Sequence, residues 1–411
     1  MNAGKIWHTF FLQERPSIGL SFFRIFAAWT VGLHVIPSFF HLDDNYLSTA
    51  FKTINPSFFT LNVLELVQKS PDWLVMAFVW FFLTTWFCFL IGLCAQISCI
   101  LMTLSCYYFY ALNAFHIGTL SWDIVLVTLF LMCLTPYHGD YFSIDALRRN
   151  DPGAYKRPRP FFIQRLLQLQ IASTFFYTAL YKVTIGNWLT GNPLHALMNY
   201  PPIGVTKNFL LKEWLAGQPH WCYGLGVFIL TMEFCLPFLL FYPRTRRSAI
   251  VAGSFFHIVL ILTLDVPAIF FFLFPAQLLL FIHPRAIVDW IEQARSRSHK
   301  LKVIYDGKCG FCRASIDRLK VMDLWGHLIY EPSFDVLGEV KLADGDKIYG
   351  GFEAFRRMCW LLPMLYPMLV FAYLPGAAVI GRRGYALIAQ NRYLLHRRQI
   401  CADNQCFRKP V

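Results

Sequence analysis

Residues 73–93 read WLVMAFVWFFLTTWFCFLIGL, a run without a single charged side chain. A bilayer core needs roughly 20 mostly apolar residues per helix, so this run reads as a membrane span. Comparable runs lie at about 17–40, 95–114, 122–137, 161–182, 223–242, 248–264 and 267–283, which makes eight. The fourth and the last pair are short, so one of them is expected to be tilted, re-entrant or merged with its neighbour. The first run starts late, contains Arg24 and lacks a small-residue cleavage site, and reads as a retained span.

Composition agrees. The 411 residues are 56% hydrophobic and 15% charged, against about 45–50% and about 25% in soluble domains. Apolar runs fill 17–283 and charge collects beyond them. The net charge of +13 does not signal nucleic acid, because the basic residues sit between spans and in the tail, not along one stripe. Those residues set orientation instead. Arg148, Arg149, Lys156, Arg157 and Arg159 crowd 138–160, and Arg244, Arg246 and Arg247 follow the sixth run. The opposite loops hold only Lys52 and Lys69, then Lys207 and Lys212. Both termini are expected in the cytosol, as an even number of spans requires, with the protein in a bacterial inner (plasma) membrane. Residues 284–300 (PRAIVDWIEQARSRSHK) open on Pro284 and split apolar from basic positions, predicting an interfacial linker helix.

Next comes LKVIYDGKCGFCRASIDRLKVMD (301–323). Residues 301–305 alternate and are rich in Val, Ile and Tyr, predicting a strand. Asp306 and Gly307 mark a turn, and an amphipathic helix is expected from Cys312 onward. Cys309 then stands at a helix N-terminus, where the backbone dipole favours a thiolate, with Lys308 and Arg313 adding positive charge. Cys309 is expected to be the exposed nucleophile, and Cys312 a resolving thiol tucked against the strand. A zinc knuckle would need a second ligand pair, and Cys401 with Cys406 has the wrong spacing. Two idle thiols are the other alternative. Seven further cysteines (Cys88, Cys94, Cys99, Cys106, Cys133, Cys222 and Cys235) lie in or beside apolar runs and read as small hydrophobes. Residues 361–380 are apolar enough to suggest a ninth span, but three prolines argue for a helix and loop packed on a sheet.

Four ionisable residues lie within spans, where they are costly: Arg24, Lys182, Glu233 and His257. Each has a structural alternative. Lys182 could snorkel, Arg24 and Glu233 could pair, and His257 could be a hydrogen-bonded core residue.

Two resemblances add to this. RLLQLQIASTFFYTALYKVTIGNWLTG (165–191), GLSFFRIF (19–26), YFSID (141–145) and FFHIVL (255–260) resemble the HTTM family, the transmembrane domain related to vitamin K-dependent gamma-carboxylase. The resemblance spans about 10–290. It implies that Lys182 acts as an amine base in quinone oxygenation, that His257 helps to hold the reacting species, and that Trp188 lies in the same ligand site. The longest outer loop, about 183–222, is far smaller than the lumenal part that recognises the carboxylase's protein substrate. YDGKCGFC (305–312), Asp323, GGFEAFRRM (350–358), LPG (374–376) and NRY (391–393) resemble the DCC family of thiol-disulfide oxidoreductase-like proteins over about 300–400. That resemblance implies a thioredoxin-like fold with Asp306, Cys309 and Cys312 as signature residues, and packing roles for Gly350, Gly351 and Phe355. The expected architecture is a polytopic α-helical membrane domain (1–283), a linker helix (284–300) and a small α/β thioredoxin-like domain with its tail (301–411). The expected function is a membrane-anchored thiol-disulfide oxidoreductase with a redox-active disulfide, a thiol or disulfide protein partner, membrane lipid and a vitamin K-like quinone. The alternatives are a carboxylase- or oxygenase-like catalyst centred on Lys182 and His257, and a non-enzymatic membrane scaffold.

Overall fold

The computed structural model describes residues 3–52, 64–113, 120–200, 207, 209–265, 271–335 and 337–395. Cys401, Cys406 and the start of the eighth apolar run lie outside them. The chain divides into two compact units.

The first unit comprises Met1–Ser143 and Arg157–Pro284. Its principal helices are α1 (Ile18–Val35), α2 (Asp72–Ile91), α3 (Ala95–Leu112), α4 (Leu120–Cys133), α5 (Phe162–Thr184), α6 (Pro219–Phe241), α7 (Arg246–Thr263) and α8 (Leu273–Leu279). Among the described residues, five helices are long and apolar enough to cross a membrane: α1 with its continuation to Asn45, α2, α3, α6 and α7. The other three expected spans fall short for separate reasons. Among the described residues, α4 has 14, about 21 Å, and α8 has 7. With 23 residues, α5 has the length, but Gln164, Arg165, Gln168, Gln170 and Lys182 dilute its apolar character.

Those polar residues are satisfied inside the unit. Gln164 and Gln168 each donate to the Leu280 carbonyl at 2.7 Å, and Gln170 donates to the Ile124 carbonyl at 2.8 Å. Away from water an unpaired amide is costly, so these bonds knit α5 to α4 and to the end of α8. On α1, Phe23, Ala27, Val31 and Val35 recur every four residues on one buried stripe. They share a core with Val75, Val79, Phe82 and Phe89 of α2. Arg24 is also buried and donates to the carbonyls of His138 (3.4 Å) and Phe142. Gly92 ends α2 at φ +67°, where any side chain would run into that guanidinium. A short antiparallel ribbon, β1 (Glu14–Pro16) and β2 (Pro158–Pro160), closes the unit.

The second unit comprises Ile144–Lys156 and Arg285–Val411. Four strands, β3 (Leu301–Asp306), β4 (Leu328–Ser333), β5 (Lys341–Asp344) and β6 (Lys347–Gly350), form a mixed sheet in the order β4-β3-β5-β6. β3 and β4 are parallel and the other pairs antiparallel. The helices are α9 (Pro284–Arg297), α10 (Gly310–Met322), α11 (Gly351–Leu361), α12 (Tyr366–Tyr373) and α13 (Ala377–Leu395). Val303, Ile316, Leu342, Ala354 and Met358 lie in the core. Asp323 caps the end of α10, accepting from the amides of His327 (2.8 Å) and Leu328 (3.0 Å) to start β4. The helix α9 does more than link. Arg295 donates to the carbonyls of Asp323 (2.8 Å) and Leu324 (2.9 Å), and Trp290 meets Trp325 edge to face. The segment 144–156 was not legible as part of this unit. Its short helix Ile144–Arg149 packs on α10. Tyr155 donates to Glu292, and Lys156 pairs with the same carboxylate at 2.8 Å. The apolar stretch 361–380 is no straight span, because α12 and α13 meet at a 116° bend around Pro375 and Gly376.

Candidate functional site

Turn chemistry assembles the thiol site. β3 ends at Asp306, whose buried carboxylate accepts the Lys308 amide at 2.9 Å, folding the chain back for α10. Cys309 then occupies the N-cap of α10, its Sγ accepting the Cys312 amide at 3.3 Å. Sulfur thus meets one of the free N–H groups at the positive end of the helix. Asp306, Cys309 and Cys312 come together at one point.

One expectation is corrected here. Cys309 is fully buried whereas Cys312 is partly exposed, the reverse of the expected order. The first thiol turns inward over the helix end, where packing buries it, and the second follows within the first turn. A cation from a distant element also reaches the pair. It is Arg392 of α13, 7% exposed, which donates to Asp306 (3.2 Å) and to the carbonyls of Leu337 (2.6 Å) and Gly338 (3.4 Å). Burial, and then the adjacent Cys309, push the Cys312 thiol up to about 12, while the Arg392 charge pulls it down. The thiol in reach of solvent is therefore the poorer nucleophile at neutral pH. Tyr385, also on α13, donates no bond to a thiol; its hydroxyl accepts the Val340 amide at 3.0 Å. Gly351 takes φ +51° where a side chain would strike Glu339, so its role is close packing. Phe355 packs on the core and stacks with Phe352.

In the first unit, Lys182 turns inward. Its Nζ donates to both Glu233 oxygens, at 2.6 and 2.7 Å, and lies 4.8 Å from the centre of the Trp188 ring. Glu233 is buried. The suggested Arg24–Glu233 pair does not form, because Arg24 is taken up by the backbone carbonyls that end the α4 connection. His257 is buried among Phe175 (5.8 Å between ring centres), Phe256 (5.7 Å) and Phe274 (5.3 Å). Phe175 and Lys182 are seven residues apart on α5, so they share a face about 10 Å apart along its axis. Lys182, Glu233 and Trp188 form one cluster, with His257 along the same face.

A helical membrane unit joined to an α/β unit whose helix starts at Cys-x-x-Cys defines a membrane protein of the thiol-disulfide class. A family model for the HTTM domain matches residues 13–290, and one for the DCC1-like thiol-disulfide oxidoreductase matches residues 303–398. The chain belongs to the HTTM family and carries a DCC1-like thiol-disulfide oxidoreductase domain at its C-terminal side. No solved structure matches it.

Proposed function

We propose that Cys309 and Cys312 cycle between dithiol and disulfide in exchange with a protein partner, and that the membrane unit holds a lipid-soluble ligand of the quinone class. The observation that carries the first part is the Cys309 cap on α10, with its sulfur on the Cys312 amide. In the reducing direction, the Cys309 thiolate attacks a partner disulfide, forming a mixed disulfide and releasing one partner thiolate. Cys312 gives up its proton and attacks the Cys309 sulfur, releasing the second partner thiol and closing the Cys309–Cys312 disulfide. Two electrons pass to the partner, and the reverse sequence returns them. Asp306 and Arg392 hold the turn that positions the pair. The Cys312→Ser variant should accumulate mixed disulfides, since nothing remains to resolve them, and Cys309→Ser should not. Mixed disulfides on neither variant, or stoichiometric zinc in the purified protein, would overturn the reading.

The ligand part rests on Lys182 and Trp188 beside the aromatic surround of His257. A flat carbonyl-bearing ring could stack on these rings and accept a hydrogen bond from Nζ. Extraction of the detergent-purified protein should release a quinone, reduced in amount by Lys182→Ala. A second reading, a carboxylase- or oxygenase-like catalyst, is favoured by the Lys182–Glu233 pair, across which a proton can pass over 2.6 Å. Lys182→Arg keeps the charge but cannot serve as a neutral amine. If that variant retains full activity while Cys309→Ser loses it, the thiol reading stands alone. If neither substitution affects the cellular phenotype, the protein is a scaffold. The Lys and Arg of the 138–160 connection and of the turn after α6 support an orientation with both termini in the cytosol.

A further inference from the structure

The helix α12 (YPMLVFAY) has no charged residue on any face, yet of its eight residues only Ala372 is buried. A helix apolar all round belongs in a protein core or in lipid. Val370 and Phe371 are 66% and 64% exposed, Leu374 at the bend is 51% exposed, and Ile380 at the start of α13 is 74% exposed. Together with Tyr366, Met368 and Val379 they make a continuous apolar tip around the 116° bend. From 354 to 395 the chain has no Asp or Glu, and exposed Arg382 and Arg383 follow Ile380 within one turn. Tyr373, directly before the bend, packs edge to face on Trp360 of α11 and lies under the Arg356 guanidinium at 4.2 Å.

We infer that the α12–α13 hairpin is a monotopic membrane anchor that dips into one leaflet of the bilayer holding the first unit. Length settles the depth. Eight residues of α12 rise about 12 Å, far less than a hydrocarbon core of about 30 Å. The chain then turns back and meets two arginines, so the tip reaches the headgroup–acyl boundary, about 5–10 Å deep, where interfacial elements lie. Aromatic residues next to the bend match that layer, and Arg383, beside Arg382 with its Glu353 partner at 3.8 Å, faces anionic headgroups there. The helix α13 that emerges from the tip carries Arg392 at its far end, on Asp306. The same element that holds lipid therefore also holds the thiol turn.

The test uses the full-length protein in vesicles of phosphatidylethanolamine and phosphatidylglycerol containing a lipid with a photoactivatable acyl chain. Adducts mapped by mass spectrometry should fall on Val370, Phe371, Leu374 and Ile380 as well as on α2, the internal control. The double variant Phe371→Glu/Ile380→Glu should lose the hairpin adducts and keep those on α2. Should it fail to fold, Arg382→Gln/Arg383→Gln should lower hairpin labelling severalfold while leaving α2 unchanged. Labelling of α2 with none on the hairpin would overturn the inference. So would cross-links from the tip to a second copy of the chain or to helices of the first unit in place of lipid.

Discussion

The pairing of Arg392 with Asp306 governs how the thiols behave. Removing one partner of a buried ion pair strands the other, at a cost of about 3–5 kcal/mol, so Arg392→Gln should lower the stability of the second unit by that order in denaturant titration. It should also act on chemistry. The guanidinium pulls the Cys312 thiol down against burial, so its loss raises that thiol further, and alkylation of Cys312 should shift to still higher pH. Arg392→Lys should restore part of this shift, whereas a purely structural role would leave the pH profile unmoved. In the unaltered protein, Cys312 should alkylate more slowly than a free thiol of pKa about 8.5, its rate still climbing well above that pH. The Cys-x-x-Cys pair was legible because strand, turn and helix start are written in consecutive residues. Arg392 was not, since its partners lie on distant elements and an Asn-Arg-Tyr triplet carries no local sign of burial. The burial of Cys309 was equally hidden: an N-cap side chain can point either way, and tertiary packing decides.

Among the elements, α5 shows why hydropathy gives only part of a membrane fold. Its glutamines look like defects in a span until Leu280 and Ile124 present their carbonyls. Lys182 looks like a snorkelling anchor until Glu233, on a helix that only folding brings near, is found against it. The runs α2, α3 and α6 are legible because each has sufficient length and apolarity on its own. The prolines made the break between α12 and α13 legible. One glycine makes a sharp prediction. Gly351 sits at φ +51° against Glu339, and a left-handed conformation costs an L-residue roughly 1–2 kcal/mol. Gly351→Ala should destabilise the second unit by at least that much in thermal unfolding, whereas Gly345→Ala, at φ +58° with open space around it, should show the backbone penalty alone.

For the whole molecule, the distribution of basic loops predicts that a reporter active only outside the cytosol is silent when fused after Val411; strong activity there would reverse the orientation. The second unit is built from two stretches, 144–156 and 285–411, and this has a consequence for how the chain is made. The earlier stretch leaves the ribosome first, with Tyr155 and Lys156 still lacking Glu292. It must then wait while α5, α6, α7 and α8 are synthesised and inserted. Only when Glu292 and α10 emerge can the unit close, so its folding comes late and spans distant parts of the sequence. Nascent chains arrested just after α8 should therefore be cleaved by protease within 144–156, and released chains should be protected there. The same dependence fixes sidedness: a chain whose fourth connection ended on the far face of the bilayer from its C-terminal region could never complete the unit, so misinsertion would be exposed as an unfolded redox domain.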